Sequence, residues 1–286
     1  MAVTPYTIDS VVPGTMHGVH RLRNGITIDI PFTHPDVFDP SNLSNWNDID
    51  VFDVDTVAKF PVGTLLKINM KYYMYTEYGA TIAAGDLLQS EGPDAVHDAL
   101  PPTATAAGLS QFEVTSPESG SADFIKNEYA GGNVIAQING TPGYEYEILA
   151  HDTLDISAAG TMTVRIMGNL AVALAATDDL AFLKHVAKEV IECPTTLTGA
   201  PFGVAKAVQA DGQFGWSGVK GPHAVKTEGT VVVGTGVRPS ETTAGNVAAM
   251  VYDEDDDADL GLIGTVVDVG ATGGFSLVNF HGNGIA

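Results

Sequence analysis

The chain has 286 residues, one cysteine, and thirteen basic against thirty-five acidic side chains, a formal net charge of −22. Such a length buries a core without staples, while Cys193 alone excludes an internal disulfide framework and suits folding in a reducing cytoplasm. The charge opposes any role lining packaged DNA, because lysine and arginine are what displace counterions from phosphate.

The start, Met1-Ala-Val-Thr-Pro5, lacks a basic region followed by an apolar one, and no apolar run approaches the length that crosses a bilayer. Neither Sec-type export nor a membrane span is expected. Residues 1–58 carry prolines at 5, 13, 31, 35 and 40 and one alternating strand, Ile26-Thr-Ile-Asp-Ile30. They read as an extended N-terminal segment, either an irregular lead-in with edge strands or an arm that clasps a neighbour.

Residues 59–176 read as a β-rich domain. Ile68, Met70, Tyr72 and Met74 alternate with Lys67, Asn69, Lys71 and Tyr73, the period of a half-buried strand. Gly79-Ala-Thr-Ile-Ala-Ala-Gly-Asp-Leu-Leu follows as turn, strand and turn. Residues 91–123, rich in Pro, Ala, Ser and Thr, read as a long exposed excursion. Tyr144-Glu-Tyr-Glu-Ile148 and Met162-Thr-Val-Arg-Ile166 return to strict alternation.

Residues 177–193 predict a connecting helix: Thr177, Asp178 and Asp179 offer a cap, Leu180, Leu183, Ala187, Val190 and Ile191 form a stripe, and Pro194 stops it. Residues 194–286 then read as a second small β domain. It holds two stretches sixty-one residues apart that repeat one pattern, Gly203-Val-Ala-Lys-Ala-Val-Gln-Ala-Asp-Gly-Gln-Phe-Gly-Trp and Gly264-Thr-Val-Val-Asp-Val-Gly-Ala-Thr-Gly-Gly-Phe-Ser-Leu, each a strand, a Gly-bearing turn and a returning strand. Trp216, Phe214 and Phe275 are expected in the core. The expected fold is therefore mainly β, two small barrel-like or sandwich-like domains joined by one helix.

Candidate chemistry is thin. Asp253, Asp255, Asp257 and Asp259 stand at relative positions 1, 3, 5 and 7, as the early ligands of an EF-hand loop would, but Ala258 replaces the turn glycine and Gly264 the closing glutamate. They read as a solvated acidic loop with at most weak cation affinity, and no metal is assigned. Val231-Val-Val-Gly-Thr-Gly236 opens like a dinucleotide fingerprint, yet Pro239 stands at the third glycine and a barrel turn is expected. His17 and His20 have no partners at zinc spacing. With no Gly-x-Ser-x-Gly elbow and no visible nucleophile, no catalytic residue and no cofactor is assigned.

Over 202–280, Gly203, Ala207, Asp211, Gly212, Gly215, Trp216, Gly221, Val225, Gly229, Gly234 and Ile263-Gly264 follow an order that resembles the β-barrel module of head decoration, or cement, proteins of tailed bacteriophages. The resemblance covers about a third of the chain and consists of turn and core positions. It implies a non-enzymatic virion protein, made in the host cytoplasm and bound to the outer capsid surface as a homotrimer. The implied partner is the major capsid protein, with neither nucleic acid nor membrane. The alternatives are the major capsid protein itself, which would need a long spine helix, and a virion-associated spike protein that binds or hydrolyses glycans.

Overall fold

A computed structural model describes residues 18–21, 26–34, 36–42, 49–120, 122–138, 141–250, 261–270 and 274–282. The protein is mainly β, with two antiparallel sheets and, among the described residues, only short 3-10 turns at Pro40–Asn42 and Ala95–His97. The strands are β1 (Gly18–Arg21), β2 (Thr27–Ile30), β3 (Val54–Asp55), β4 (Leu65–Ile68), β5 (Lys71–Glu77), β6 (Leu87–Gln89), β7 (Gln111–Thr115), β8 (Asn133–Ile138) and β9 (Thr141–His151). They continue as β10 (Thr161–Ile166), β11 (Asp179–Leu183), β12 (Ile191–Glu192), β13 (Pro201–Ala205), β14 (Phe214–Lys226), β15 (Gly236–Pro239), β16 (Val247–Ala249), β17 (Gly264–Asp268) and β18 (Phe275–Phe280).

The smaller sheet has five strands in the order β11-β8-β9-β10-β7. Its strands obey period two: Met162, Val164 and Ile166 face inward while Thr161, Thr163 and Arg165 do not, as a one-sided sheet requires. Together with Val114, Val134 and Ile148 they form one core, joined by the aromatic Phe112, Phe124, Tyr129 and Phe182. The presumed excursion at 91–123 belongs to this sheet. Leu100, Phe112 and Val114 are buried in its core, because alternating apolar residues at 112 and 114 find a pairing partner in β10 that the composition of the segment conceals.

The larger sheet takes strands from both ends of the chain, along the path β1-β2-β4-β5-β14-β18-β17-β15-β16, with β3, β6, β12 and β13 off it. Strand β14 is its hub. Phe214 to Lys220 pair with β5, then Gly221 to Lys226 pair with β18. The change of partner happens at Gly221, where φ is +90° and an added Cβ would stand 2.2 Å from the Met70 carbonyl oxygen, so only glycine fits. Because β14 passes from one neighbour to the next at this bend, the strands fan out between β1 and β16, and the barrel alternative among the expected barrel-like or sandwich-like folds is not formed as a closed barrel. Both repeated stretches do form hairpins: β13 pairs with β14, and β17 with β18.

Two further expectations are corrected. The helix expected at 177–193 is instead β11, a turn and β12. Leu180 and Phe182 are buried and pair with Ala136 and Val134 of β8, so the stripe that suggested a 3.6 period is a strand alternation followed by separate turn contacts. Asp178 caps a turn, accepting the Ala175 N–H at 2.7 Å, and Glu189 has φ +51°, which no helix interior tolerates. The alternation from Ile68 to Met74 is likewise broken into a β4-β5 hairpin by Asn69, with φ +54°. Of the two alternatives expected for the N-terminal segment, strand packing is the one found where it is described. Strand β2 pairs with β1 and β4, and Ile28 and Ile30 are buried against Phe60, Leu66, Tyr75 and Trp216.

A recurrent device joins these parts. Ile82 with Gln209, Thr105 with Leu174, and Phe124 with Leu154 form isolated antiparallel bridges, each pair exchanging both backbone hydrogen bonds. A tight turn follows most of these residues, and a side chain three positions on often closes it: Asp86 accepts from Ala83 N–H at 2.8 Å, and Gln213 from Ala210 N–H at 2.7 Å. The sequence mark of this device is Ala-Ala-Gly after the bridge residue, as at Ile82 and Thr105.

Candidate functional site

The densest charged cluster lies where the two sheets meet. Lys184, just after β11, reaches Glu91 at 2.6 Å and Glu128 at 3.0 Å and also pairs with Glu189. Its ammonium sits 5.8 Å above the Tyr129 ring. Burial pulls the Lys184 pKa down, but the three carboxylates overcome it and hold the amine well above its usual range. Glu189 resists burial through the same lysine and is held below the ordinary glutamate value, whereas burial raises Glu91. Nearby, Lys188 donates to the Asn127 carbonyl at 2.9 Å, and burial lowers its pKa. Asn127 in turn donates from Nδ2 to the Asp36 carbonyl at 3.0 Å, tying in the N-terminal part.

This cluster is a lock. The loop before β8 supplies Glu128, the chain after β6 supplies Glu91, and the turn before β12 supplies Glu189, so one ammonium fastens three separate elements. His185 beside it stays neutral at about 4 through burial and the charge of Lys188. Its ring fills the space over Gly63, and its Nδ1 accepts the Ala187 N–H at 3.1 Å.

A second set of carboxylates is equally committed. Asp86 pairs with Lys226 at 2.6 Å, Asp55 pairs with Lys59 at 2.6 Å and accepts the Tyr75 hydroxyl at 2.7 Å, and Glu228 accepts from Ser240 and Thr242. Carboxylates engaged in this way hold structure. A shallow crevice is lined by the apolar side chains of Leu87, Phe202, Val219, Ile263 and Phe280, none of which is an acid or a base.

Asp253, Asp255, Asp257 and Asp259 lie outside the described residues, as does His17. Among the described residues no group of three or more His, Cys, Asp or Glu side chains is placed to hold a metal ion. Cys193 is buried, and burial followed by the charge of Glu192 pushes its thiol up to about 12. Among the aromatics, Trp216 is buried and Phe214 half-buried, but Phe275 is 50% exposed, laid over Gly85 where no Cβ would fit, which corrects its expected core position. Val231-Val-Val-Gly-Thr-Gly236 forms a turn into β15, with Gly234 at φ +85°. No helix of the described residues is long and apolar enough to cross a membrane.

The Lys184 lock has no sequence motif, since its four members come from distant loops. A partial signal was Lys184 and Lys188 placed four residues apart in a chain so poor in lysine. No family model matches the chain, and no curated protein or solved structure matches it either.

Proposed function

We propose that the chain is a capsid decoration protein of a tailed bacteriophage, a non-enzymatic homotrimer bound to the outer face of the head. It would hold the shell together by burying surface against the major capsid protein at junctions between subunits. Attachment to every equivalent junction multiplies a modest interface into shell-scale stability.

The observation that carries this reading is the ordered set of turn and core residues from 202 to 280. Gly212, Gly221, Gly229 and Gly234 all adopt positive φ at turns or bends, and Gly203, Gly215 and Gly264 have neighbours too close for any side chain. Trp216 and Val225 are buried on β14. The residues that carry the resemblance are thus those on which the local hairpins depend. The carboxylates described above are spent on structure, which also favours a binding role over a hydrolytic one.

Electron cryomicroscopy of heads prepared with and without this chain tests the reading. Added density on the outer surface, lost on omission and restored by purified protein together with resistance to heat or low salt, is the expected result. Heads that look and melt the same in both preparations would refute it.

A further inference from the structure

The turn at 126–132, between Phe124 and β8, hangs from two buried histidines. Tyr129 lies at its centre and is held twice. Its backbone N–H donates to His151 Nε2 at 2.9 Å, and its hydroxyl meets His97 Nδ1 at 2.6 Å. Both rings are almost wholly buried, His97 stacked on Phe124 at 3.8 Å between centres and His151 set edge-on to the same ring at 5.9 Å.

The second nitrogen of each imidazole settles where its proton sits. His151 Nδ1 faces the Asp152 carbonyl at 2.7 Å, and a carbonyl only accepts, so Nδ1 carries the hydrogen and Nε2 is a bare acceptor. His97 Nε2 faces the Ala122 carbonyl at 3.0 Å, so its Nδ1 accepts the Tyr129 hydroxyl. The two sites respond differently to an added proton. A hydroxyl rotates, so a proton on His97 Nδ1 still finds the Tyr129 oxygen, and the Asp94 carboxylate stands 3.7 Å away. A backbone N–H cannot reverse. A proton on His151 Nε2 would point at the Tyr129 N–H across 2.9 Å and turn a hydrogen bond into two opposed donors.

His151 holds more of the turn than this one bond. Its carbonyl accepts the Asn127 N–H at 3.2 Å, and its own N–H donates to Asn127 Oδ1 at 3.0 Å. Further along the turn, the Gly131 N–H donates to the Ile148 carbonyl at 2.7 Å, and Glu128 reaches Lys184. Burial holds the His151 ring below its ordinary 6.5. The Asp152 carbonyl bond opposes burial, Lys188 reinforces it, and the charges of Glu128 and Asp152 oppose it. His185, whose ring carbon lies 3.9 Å from where a Cβ on Gly131 would stand, is kept neutral by burial and then Lys188 down to about 4.

We propose that His151 is an acid-sensitive latch: a proton on Nε2 expels the Tyr129 N–H and frees the 126–132 turn, and with it the Glu128 arm of the Lys184 lock, where the two sheets meet. Because the ring takes up a proton more readily in the open turn than in the closed one, the closed turn is fully favoured above 6.5 and loses ground as pH falls below it. The latch is independent of the surface that the chain binds.

Amide hydrogen exchange of the full chain from about pH 7.5 to about pH 5.5 is the test. Protection at Tyr129, taken relative to an unstructured chain at each pH, should fall about three- to tenfold over that range, which is what the uptake of one proton allows. Asn127 and Gly131 should fall in step. His151→Gln keeps an acceptor toward Tyr129 but does not titrate, and protection in that variant should stay level throughout. Level protection in the wild type, an equal fall in His151→Gln, or a fall confined to Tyr129 would each overturn the proposal. Should His151→Gln not fold, the ring nitrogen resonances of the wild type decide. A proton on Nδ1 at neutral pH, and a Tyr129 amide resonance that moves with the titration of the ring, are expected. A proton on Nε2 at neutral pH, or a Tyr129 amide indifferent to that titration, would refute the latch.

Discussion

The two sheets solve the same problem by different means. The five-stranded sheet is an antiparallel array in which strict alternation on β7, β8, β9 and β10 delivers one continuous core. The larger sheet has no such unity. Its apolar side chains fall into an aromatic cluster around Tyr75 and Trp216, an aliphatic cluster around Val225, Val237 and Val278, and smaller groups around Tyr78 and Val219. What unites them is the single strand β14, which touches partners on both sides of its bend. A sheet with one core tolerates local damage; a sheet hung on one strand should not.

The largest effect is expected at that bend. Gly221→Val would force a β-branched residue to φ +90° and drive its Cβ into the Met70 carbonyl, at a cost above about 4 kcal/mol, enough to abolish folding of the larger sheet. Gly108→Ala, in the turn before β7 of the smaller sheet, meets open space at φ +85° and should cost only about 1 kcal/mol, through backbone strain alone. Thermal melting of the two variants side by side measures the contrast. If Gly221→Val melts like Gly108→Ala, β14 is not the hub described.

Next comes the N-terminal strand. Ile28→Ala should lose about 2–4 kcal/mol by opening a cavity beside Trp216, and should alter Trp216 fluorescence. Removing residues 1–30 should expose the aromatic cluster and yield aggregating protein, while amide protection in β8, β9 and β10 survives if the smaller sheet stands on its own core. Uniform loss of protection throughout would show that the two sheets unfold as one.

The Lys184 lock should matter less. Lys184→Met leaves three glutamates without their cation and should cost about 2–3 kcal/mol, less than the roughly 3–5 kcal/mol of a fully buried pair because Glu91 and Glu189 are partly exposed. Glu189 is depressed below its ordinary value of 4.5, so its share of stability is present above that pH and is lost as pH falls through the lower folded value. Glu91 is raised by burial and acts the other way, gaining stability as it protonates. A wild-type melting temperature that drops below pH 4.5 while that of Lys184→Met stays level is the expected pair of curves. The smallest effect is chemical: Cys193, pushed to about 12 and buried, should resist alkylation at neutral pH until the chain is unfolded. Rapid alkylation of the native protein would mean that its cluster opens readily.

Alternation made much of this legible before any coordinates. Ile26, Ile28 and Ile30 announced β2, Met162 to Ile166 announced β10, and the paired Gly-turn-aromatic stretches announced two hairpins. Where the reading failed, the residues were compatible with two periods. Leu180, Leu183 and Ala187 fit a helix stripe, but Leu180 and Phe182 fit a strand equally, and only the presence of β8 alongside selected the second. The lock was illegible for a different reason. Lys184, Glu91, Glu128 and Glu189 carry no mutual spacing, and their meeting depends on where three loops end.

By itself the sequence determined the β class, the local hairpins and the glycines that allow them, because backbone sterics and period-two burial act between near neighbours. The tertiary structure alone decided that one strand serves four partners, that the N-terminal isoleucines return to a core near Trp216, and that a lone ammonium gathers three carboxylates. Those outcomes depend on contacts between residues distant in the chain, where pairing energy and burial override local preference.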